Sequence, residues 1–269
     1  MNGELFTKFE NLKTNLKKMG SVVVGFSAGV DSSFLLKVAS DVLGEKVLAV
    51  TINSALFSKQ ELKDSLKFVK KYEIHHLVID VDIEEIKHFE ENPENRCYFC
   101  KKHIFSKIKE IADQENFKYV IDASNYDDLK DFRPGMKALE KLGIISPLIN
   151  AKIGKKEIRL LSKEMGLETW NKPSYACLAS RFPYGVKINK KRLKTVEKAE
   201  NVLKNFDVKQ TRVRFHNDIA RLEIFKSDFQ KILENADEIS KEIKELGFKY
   251  VTLDIEGYRT GSLIEVLKK

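Results

Sequence analysis

The sequence lacks long apolar runs, a secretory leader and an even number of cysteines. No apolar run approaches the roughly 20 residues of a membrane-spanning helix. The amphipathic start, residues 1–18, has no signal-peptide core or cleavage site, so we expect a cytoplasmic protein without a membrane partner. Three cysteines do not suggest a disulfide framework. Repeats and low-complexity tracts are also missing, and 42% hydrophobic with 33% charged residues is an ordinary globular composition.

Apolar segments alternate with helical patterns through the first two thirds of the chain. Short apolar runs at 22–26, 47–50, 76–81, 119–122 and 144–145 predict strands. Between them, helical spacing at 31–39, 58–72, 101–115 and 155–165 predicts helices. This order predicts an α/β fold with a doubly wound parallel sheet.

The pattern changes after residue 185. A helix at 189–203, strands at 211–215 and 220–224, a helical stretch at 227–246 and a strand at 250–254 predict a smaller α+β domain. We therefore divide the 269 residues into domains 1–185 and 186–269, the second for substrate binding or oligomerisation. The net charge of +8, with basic residues clustered at 187–194, suits a phosphorylated ligand or nucleic acid, although a solvated lysine-rich surface is the simpler interpretation.

A loop rich in small residues joins the first predicted strand to the first predicted helix. Its residues are Gly25, Phe26, Ser27, Ala28, Gly29, Val30, Asp31, Ser32 and Ser33. Small residues let a backbone close around an anion, and a helix N-terminus offers N–H groups and partial positive charge. Because a carboxylate only accepts hydrogen bonds, Asp31 is best explained as a Mg²⁺ ligand. Neither the Walker A lysine nor G-x-G-x-x-G is present, and a serine-rich helix cap is the structural alternative.

This loop resembles the PP-loop, S-G-G-x-D-S, of the ATP pyrophosphatase superfamily. The resemblance implies that ATP is split to AMP and pyrophosphate while a carbonyl or carboxyl oxygen is activated as an adenylate. It assigns ATP binding to Gly25, Phe26, Ser27, Gly29, Asp31, Ser32 and Ser33, with Asp31 also catalytic. Ala28 replaces the usual second glycine, so its φ and ψ must be allowed for alanine.

A polar turn follows the fourth predicted strand. Ligands of open α/β sheets bind at the carboxyl ends of strands, where Ser124, Asn125 and Asp128 lie. The turn continues to Arg133 and is similar to the D-D-x-x-D-x-R-P-G stretch of one family, which adds these four residues to the expected ATP site. A purely structural role for the turn is the alternative.

That family is the LarE-type sulfur transferases. The resemblance covers nearly the whole chain and is most specific in A-C-L-A-S-R-F-P-Y-G, residues 176–185. It implies thiolation of a pyridinium dicarboxylate mononucleotide during assembly of the nickel-pincer nucleotide cofactor of lactate racemase. By the same resemblance the substrate is held by Ser180, Arg181, Glu200, Arg212, Arg214 and Glu223, where the glutamates could hold a cation. Surface charge is the plainer interpretation for any one of these residues.

The sulfur source separates two chemistries within this family. In some members a lone cysteine matching Cys177 donates its own sulfur, which makes Cys177 the catalytic residue. This sequence also has Cys97 and Cys100, and three thiolates can hold three irons of a [4Fe–4S] cluster and leave the fourth open for sulfide. We expect the cluster; a redox pair or half of a zinc site is the alternative for C-x-x-C.

Two other functions remain open at this point. A tRNA thiolase would share the loop and the three cysteines, but no RNA-binding module is recognisable, so nucleic acid is not the expected partner. A non-catalytic nucleotide-binding module would not need Ser27, Asp31 and Ser32 intact. The expected partners are the mononucleotide, a sulfide or sulfur donor, and further copies of this chain.

Overall fold

A computed structural model describes residues 3–130, 134–173, 176–208, 210–259 and 261–267. The described residues form two compact units: residues 3–87 with 95–173, and residues 88–94 with 176–267. The second unit thus includes the short segment 88–94, which the sequence analysis assigned to the first domain. Within the described ranges, no helix combines the length and the apolar character that crossing a bilayer requires.

The first unit contains a four-stranded, all-parallel sheet in the order β3-β2-β1-β4, which confirms the predicted fold class. Its strands are β1 (Val22–Gly25), β2 (Val47–Asn53), β3 (His75–Asp80) and β4 (Tyr119–Ile121). The predicted strand at 144–145 is a single bridge between Ile121 and Ile145. The helices are α1 (Gly3–Met19), α2 (Val30–Leu43), α3 (Lys59–Lys71), α4 (Arg96–Gln114), α5 (Pro134–Lys141), α6 (Pro147–Asn150) and α7 (Lys155–Glu164).

Alternation along β1 explains why helices cover both faces of this sheet. Val22 and Val24 point to one face, where they join a buried core with residues of α1, α2 and α7. Gly25 has the opposite parity, and a Cβ there would lie 3.1 Å from Cζ of Phe105 on α4. The glycine therefore permits α4 to approach the second face closely, which is a packing reason for a residue that we expected in the ATP site.

The second unit contains the mixed three-stranded sheet β5-β6-β7. Its elements are α8 (Lys190–Asn205), β5 (Thr211–His216), β6 (Ile219–Ile224), α9 (Phe229–Glu234), α10 (Ala236–Glu245) and β7 (Tyr250–Leu253). Asn217, with a φ of 55°, forms the tight turn between the antiparallel β5 and β6. The helical stretch predicted over 227–246 is instead interrupted at Asn235, which separates α9 from α10.

Asn92, a buried residue, joins the segment 88–94 to the rest of the second unit. Asn92 is fully buried, and its Nδ2 donates to the carbonyls of Pro183 at 2.7 Å and Val186 at 3.1 Å. Its own carbonyl accepts from the N–H of Gly185 at 2.9 Å. These bonds join residues about 90 positions apart, so no local pattern in the sequence could reveal them.

Candidate functional site

The loop between β1 and α2 has the conformation that a phosphate-binding turn requires. Ala28 adopts a φ of 54°, in the left-handed region that glycine favours. Gly29 is the N-cap of α2, with no side chain to fill the turn. The hydroxyls of Ser27 and Ser32 lie 3.1 Å apart, and the N–H of Ser27 points to the Ser32 hydroxyl at 3.3 Å. Two hydroxyls therefore meet at the positive end of a 14-residue helix.

Two of the predicted loop ligands, Ser33 and Phe26, are buried in the loop. The hydroxyl of Ser33 is buried and makes no hydrogen bond among the described residues. The backbone N–H of Phe26 donates to the carbonyl of Val50 at 2.8 Å, and its carbonyl accepts from the hydroxyl of Thr51 at 2.9 Å. These two residues serve the packing of the loop, and ligand contact by either of them stays a prediction.

Asp31, in the first turn of α2, is paired with a lysine that the sequence analysis did not identify. Its two carboxylate oxygens accept from Nζ of Lys155 at 2.8 and 2.7 Å. Nδ2 of Asn125 approaches the same carboxylate at 3.4 Å. The ammonium of Lys155 thus balances the charge of the Asp31 carboxylate, as a bound metal cation would. Asp31 and Asn125, predicted from separate motifs, lie together.

The turn after β4 is organised mainly by its own carboxylates. Asp128 accepts from the N–H of Asn125 at 3.0 Å, and Oδ1 of Asn125 accepts from the N–H of Asp127 at 3.0 Å. The hydroxyl of Ser124 donates to Asp122 at 2.5 Å. This geometry presents the amide of Asn125 at Asp31 while Ser124 and Asp128 hold the turn. Arg133, the last predicted member, lies outside the described residues.

The start of α7 is locked to this turn by Asp127. Its Oδ2 accepts from the N–H of Lys155 at 2.8 Å, and a Cβ on Gly154 would lie only 2.7 Å from that oxygen. The hydrogen bond from this N–H, with the help of Lys130, lowers the pKa of Asp127. Gly154 is therefore needed for close approach, and the contact places Lys155 beside Asp31. The sequence signal that could have identified Lys155 is Gly154, which directly precedes a helix that begins with two lysines.

The two cysteines of the C-x-x-C pair lie on a helix in the first unit. Because α4 begins at Arg96, Cys97 and Cys100 lie in its first and second turns, three residues apart on one side. The sequence analysis began this helix at Lys101 and so placed the pair before it. Cys97 is exposed and Cys100 is half-buried. Two thiols at this spacing suit shared binding of one metal centre.

The third cysteine belongs to the second unit. Cys177 is half-buried, and its carbonyl accepts from the N–H of Ser180 at 2.9 Å, which opens the short helical turn 178–181. Within the described ranges, no three His, Cys, Asp or Glu side chains are grouped so that they could hold a metal ion. The three-thiolate site stays a prediction.

The predicted substrate grip is a buried network of arginines and glutamates in the second unit. Nε and Nη2 of Arg181 donate to the two carboxylate oxygens of Glu200 at 2.8 and 3.0 Å, a bidentate pair. The N–H of Val213 adds a third bond at 3.1 Å. Burial by itself would raise the pKa of Glu200, but the charge and hydrogen bonds of Arg181 outweigh it, so the pKa is lowered.

A second pair lies on neighbouring strands of the same unit. Arg214 donates to Glu223 at 2.7 Å and to the carbonyl of Ser180 at 2.6 Å. Arg221 donates to the other oxygen of Glu223 at 3.0 Å. Both predicted glutamates are therefore paired with guanidinium groups, and a cation held by either of them stays a prediction. Nε of Arg214 is buried and makes no hydrogen bond among the described residues.

Arg212 completes the predicted set of arginines. It is buried, donates to the carbonyl of Thr211 at 2.8 Å and lies over the ring of Tyr258 at 5.5 Å. Burial, and next the charge of Arg181, lowers its pKa. As predicted from strand alternation, Arg212 and Arg214 share a face of β5. A buried guanidinium beside a second one is a ready binding group for an anion.

Comparison with known protein families places the loop in a recognised setting. Residues 6–147, which include the loop, Asp31 and Asn125, match the NAD synthase family. That range is more than half of the chain.

Two relatives match almost the whole chain. One is the pyridinium-3,5-bisthiocarboxylic acid mononucleotide synthase of Lactiplantibacillus plantarum, with 36% identity over 98% of this chain and 96% of the relative. An uncharacterized protein of Synechocystis sp. is 38% identical over 98% of this chain and its own full length. A glutamine-hydrolysing GMP synthase component from Thermoplasma volcanium is 27% identical over only 60% of this chain and 55% of its own length.

Proposed function

This chain belongs to the PP-loop ATP pyrophosphatase family and is an ATP-dependent sulfurtransferase, and on that premise we propose that its substrate is a pyridinium dicarboxylate mononucleotide. The proposal depends on the full-length match to a pyridinium-bisthiocarboxylate mononucleotide synthase. The PP-loop geometry around Ser27 and Ser32 supports the ATP-dependent step alone, since ATP must be bound before a carboxylate can be activated.

The first proposed step activates the carboxylate. An oxygen of the substrate carboxylate attacks the α-phosphorus of ATP, the bond from that phosphorus to the bridging oxygen breaks, and pyrophosphate leaves with its electron pair. The product is a mixed anhydride of the substrate and AMP. Dipoles and donors preorganised at the N-terminus of α2 stabilise the charge on the departing pyrophosphate.

Asp31 and Lys155 are the charged residues that we assign to this step. A carboxylate at the loop suits Mg²⁺, which neutralises phosphate charge when bound. Asp31 is partly exposed and already faces a cationic group, so its environment fits that role. We propose that Lys155 moves from Asp31 to a phosphate oxygen when MgATP binds, which keeps both charges compensated.

The second proposed step transfers sulfur. A sulfide attacks the activated carbonyl carbon, AMP leaves from it, and a thiocarboxylate remains. We propose that Ser180, Arg181, Arg212 and Arg214 hold the substrate's phosphate and carboxylates, since arginine forks match such groups. Burial and the charge of Arg181 both disfavour the charged form of Arg212. An anion bound beside Arg212 would therefore stabilise its charge.

We further propose that the sulfide comes from a [4Fe–4S] cluster held by Cys97, Cys100 and Cys177. Cys97 and Cys100, on one side of the first two turns of α4, could bind two irons of one cluster. Three protein thiolates would leave the fourth iron open for the sulfide. The support is this residue set together with the spacing on α4, while the competing route consumes the sulfur of Cys177.

The sulfur source is tested on protein purified without oxygen. We expect about four irons per chain, and replacing any one of Cys97, Cys100 and Cys177 by alanine should remove most of them. With sulfide, ATP and the mononucleotide, the protein should turn over many times, and intact mass should show all cysteines unchanged. The control is Cys100→Ser, which should lose iron but still release pyrophosphate.

Three results would count against parts of the proposal. A protein without iron whose Cys177 has lost the mass of hydrogen sulfide after one turnover would establish the sacrificial route. Thiolation of tRNA in place of the mononucleotide would contradict the substrate. Failure to release pyrophosphate with either acceptor would contradict the assignment of the ATP step.

A further inference from the structure

We propose that Lys172 is a positioning residue that holds the phosphate loop in its anion-binding shape by fixing the carbonyl of Ala28. Nζ of Lys172 donates to that carbonyl at 3.0 Å across 144 positions of sequence. Ala28 is almost completely buried and is the loop residue with a positive φ. The lysine thus acts on the one peptide of the loop whose conformation an alanine adopts reluctantly.

The direction of this carbonyl determines what the loop can bind. A trans peptide is planar, so its N–H points opposite to its C=O. With the Ala28 carbonyl directed at Lys172, the N–H of Gly29, which is the N-cap residue of α2, points the other way. The contact with Lys172 fixes ψ of Ala28, and if Ala28 left the left-handed region its carbonyl would turn away from Lys172 and could present its dipole where an anion needs an N–H.

Lys172 is itself held through both its ammonium group and its backbone carbonyl. Its ammonium is 2.5 Å from Oδ2 of Asp64 on α3, and its side chain is 15% exposed. Its carbonyl accepts from Nη2 of Arg159 at 2.9 Å, and Nη1 of the same arginine donates to the carbonyl of Trp170 at 2.7 Å. A lysine fixed in this way can hold a carbonyl in place.

One helix connects this contact with the other side of the loop. Arg159 lies on α7, whose first residue is Lys155, the partner of Asp31. Through α7, Lys172 and Lys155 are parts of one support for the loop: one holds a backbone carbonyl and the other a carboxylate. Lys172 acts on ATP through Ala28, which sets it apart from residues that touch the nucleotide.

The experiment combines Lys172→Met with Ala28→Gly, because glycine adopts the positive φ without the help of a lysine. Binding of MgATP is measured by calorimetry and pyrophosphate release by a coupled assay, with Tm recorded for every variant. Lys67→Met is the matched control, since Lys67 lines one cavity together with Ala28 and Lys172, contacts Glu168 and has a side chain that is 74% exposed.

We expect Lys172→Met to weaken MgATP binding about tenfold. Ala28→Gly alone should keep parental affinity, and adding it to Lys172→Met should restore binding to within about twofold of the parent. Lys67→Met should match the parent. We expect the rescue in MgATP affinity, with no matching order of the variants in Tm. A purely structural lysine would instead lower Tm, and a glycine at position 28 would not restore binding.

The inference would be overturned by either of two results. Equal losses for Lys172→Met in the alanine and glycine backgrounds would mean that Lys172 contacts ATP directly or supports the fold generally. Unchanged ATP affinity in Lys172→Met would mean that Ala28 keeps its conformation unaided. The inference rests on the ATP step of the proposed function. Failure of the parent to bind MgATP would contradict that step and is seen separately in the same titration.

Discussion

The ion pairs at the candidate sites of the two units differ in how much water reaches them. The side chains of Lys155 and Asp31, in the first unit, are 32% and 22% exposed. In the second unit, Arg181 and Glu200 are 2% and 7% exposed, and Arg214 and Glu223 are 8% and 0% exposed. All three pairs have hydrogen-bond distances below 3 Å.

Because of this difference in hydration, we expect a ligand to separate Lys155 from Asp31 more easily than it separates the two buried arginine–glutamate pairs. A partly hydrated ion pair contributes little net free energy, so a ligand can displace one member at small cost. Separating a buried pair leaves an unpaired charge without water, which costs several kcal/mol. We therefore expect the first unit to exchange partners when MgATP binds and the second to keep most of its ion pairs when substrate binds.

The largest expected effect comes from removing a buried charge in the second unit. Glu200→Gln keeps the shape of the side chain but takes from the buried Arg181 the carboxylate that balances its charge. We expect a loss of about 3–5 kcal/mol in the free energy of unfolding, measured by urea denaturation. The exposed Glu245→Gln in the same unit is the control and should stay within about 0.5 kcal/mol of the parent. Equal small losses for both variants would remove the contrast between the units.

In the first unit, the corresponding change should affect activity and spare stability. Asp31→Asn should lower pyrophosphate release by about 10²–10³-fold, the scale of losing one charge-stabilising group at a reacting centre. The free energy of unfolding should change by less than about 1 kcal/mol, because water reaches the pair with Lys155. Asp41→Asn, which breaks an exposed pair with Lys37 on the same helix, is the control. A large stability loss in Asp31→Asn alone would mean that its pair with Lys155 is structural.

The smallest expected effect concerns one histidine in each unit. Burial lowers the pKa of His76, and burial together with the charges of Arg221 and Arg214 lowers the pKa of His216. Below about pH 6.5 the unfolded chain then binds more protons than the folded one, so acidification destabilises the fold. Tm should fall from about pH 7.5 to about pH 5.5, and less so in His76→Gln and in His216→Gln. The exposed His75→Gln is the control, and a parental pH slope in both test variants would contradict the prediction.

Much of the first unit could be predicted because its signals are local. The helix predicted over 58–72 is α3, which Ser58 opens with a capping box to Glu61, a signal between residues three positions apart. The apolar run that begins at Val22 forms β1, one of the two inner strands of the sheet. The loop after it leads into α2. The helix breaks and ends were less predictable: α4 starts at Arg96, ahead of the expected Lys101, and α9 ends at Glu234. Tertiary contacts readily shift such boundaries.

The sequence alone determined the family, the parallel sheet and the composition of the loop, because small residues at a strand–helix junction and apolar periodicity are properties of neighbouring residues. Only the tertiary structure decided the partners of the charges. Lys155 meets Asp31 across 124 positions, Lys172 meets Ala28 across 144, and Asn92 meets Pro183 across 91. Which of the charged residues are buried against each other, and which stay accessible to a ligand, depends on how helices and strands distant in sequence pack together.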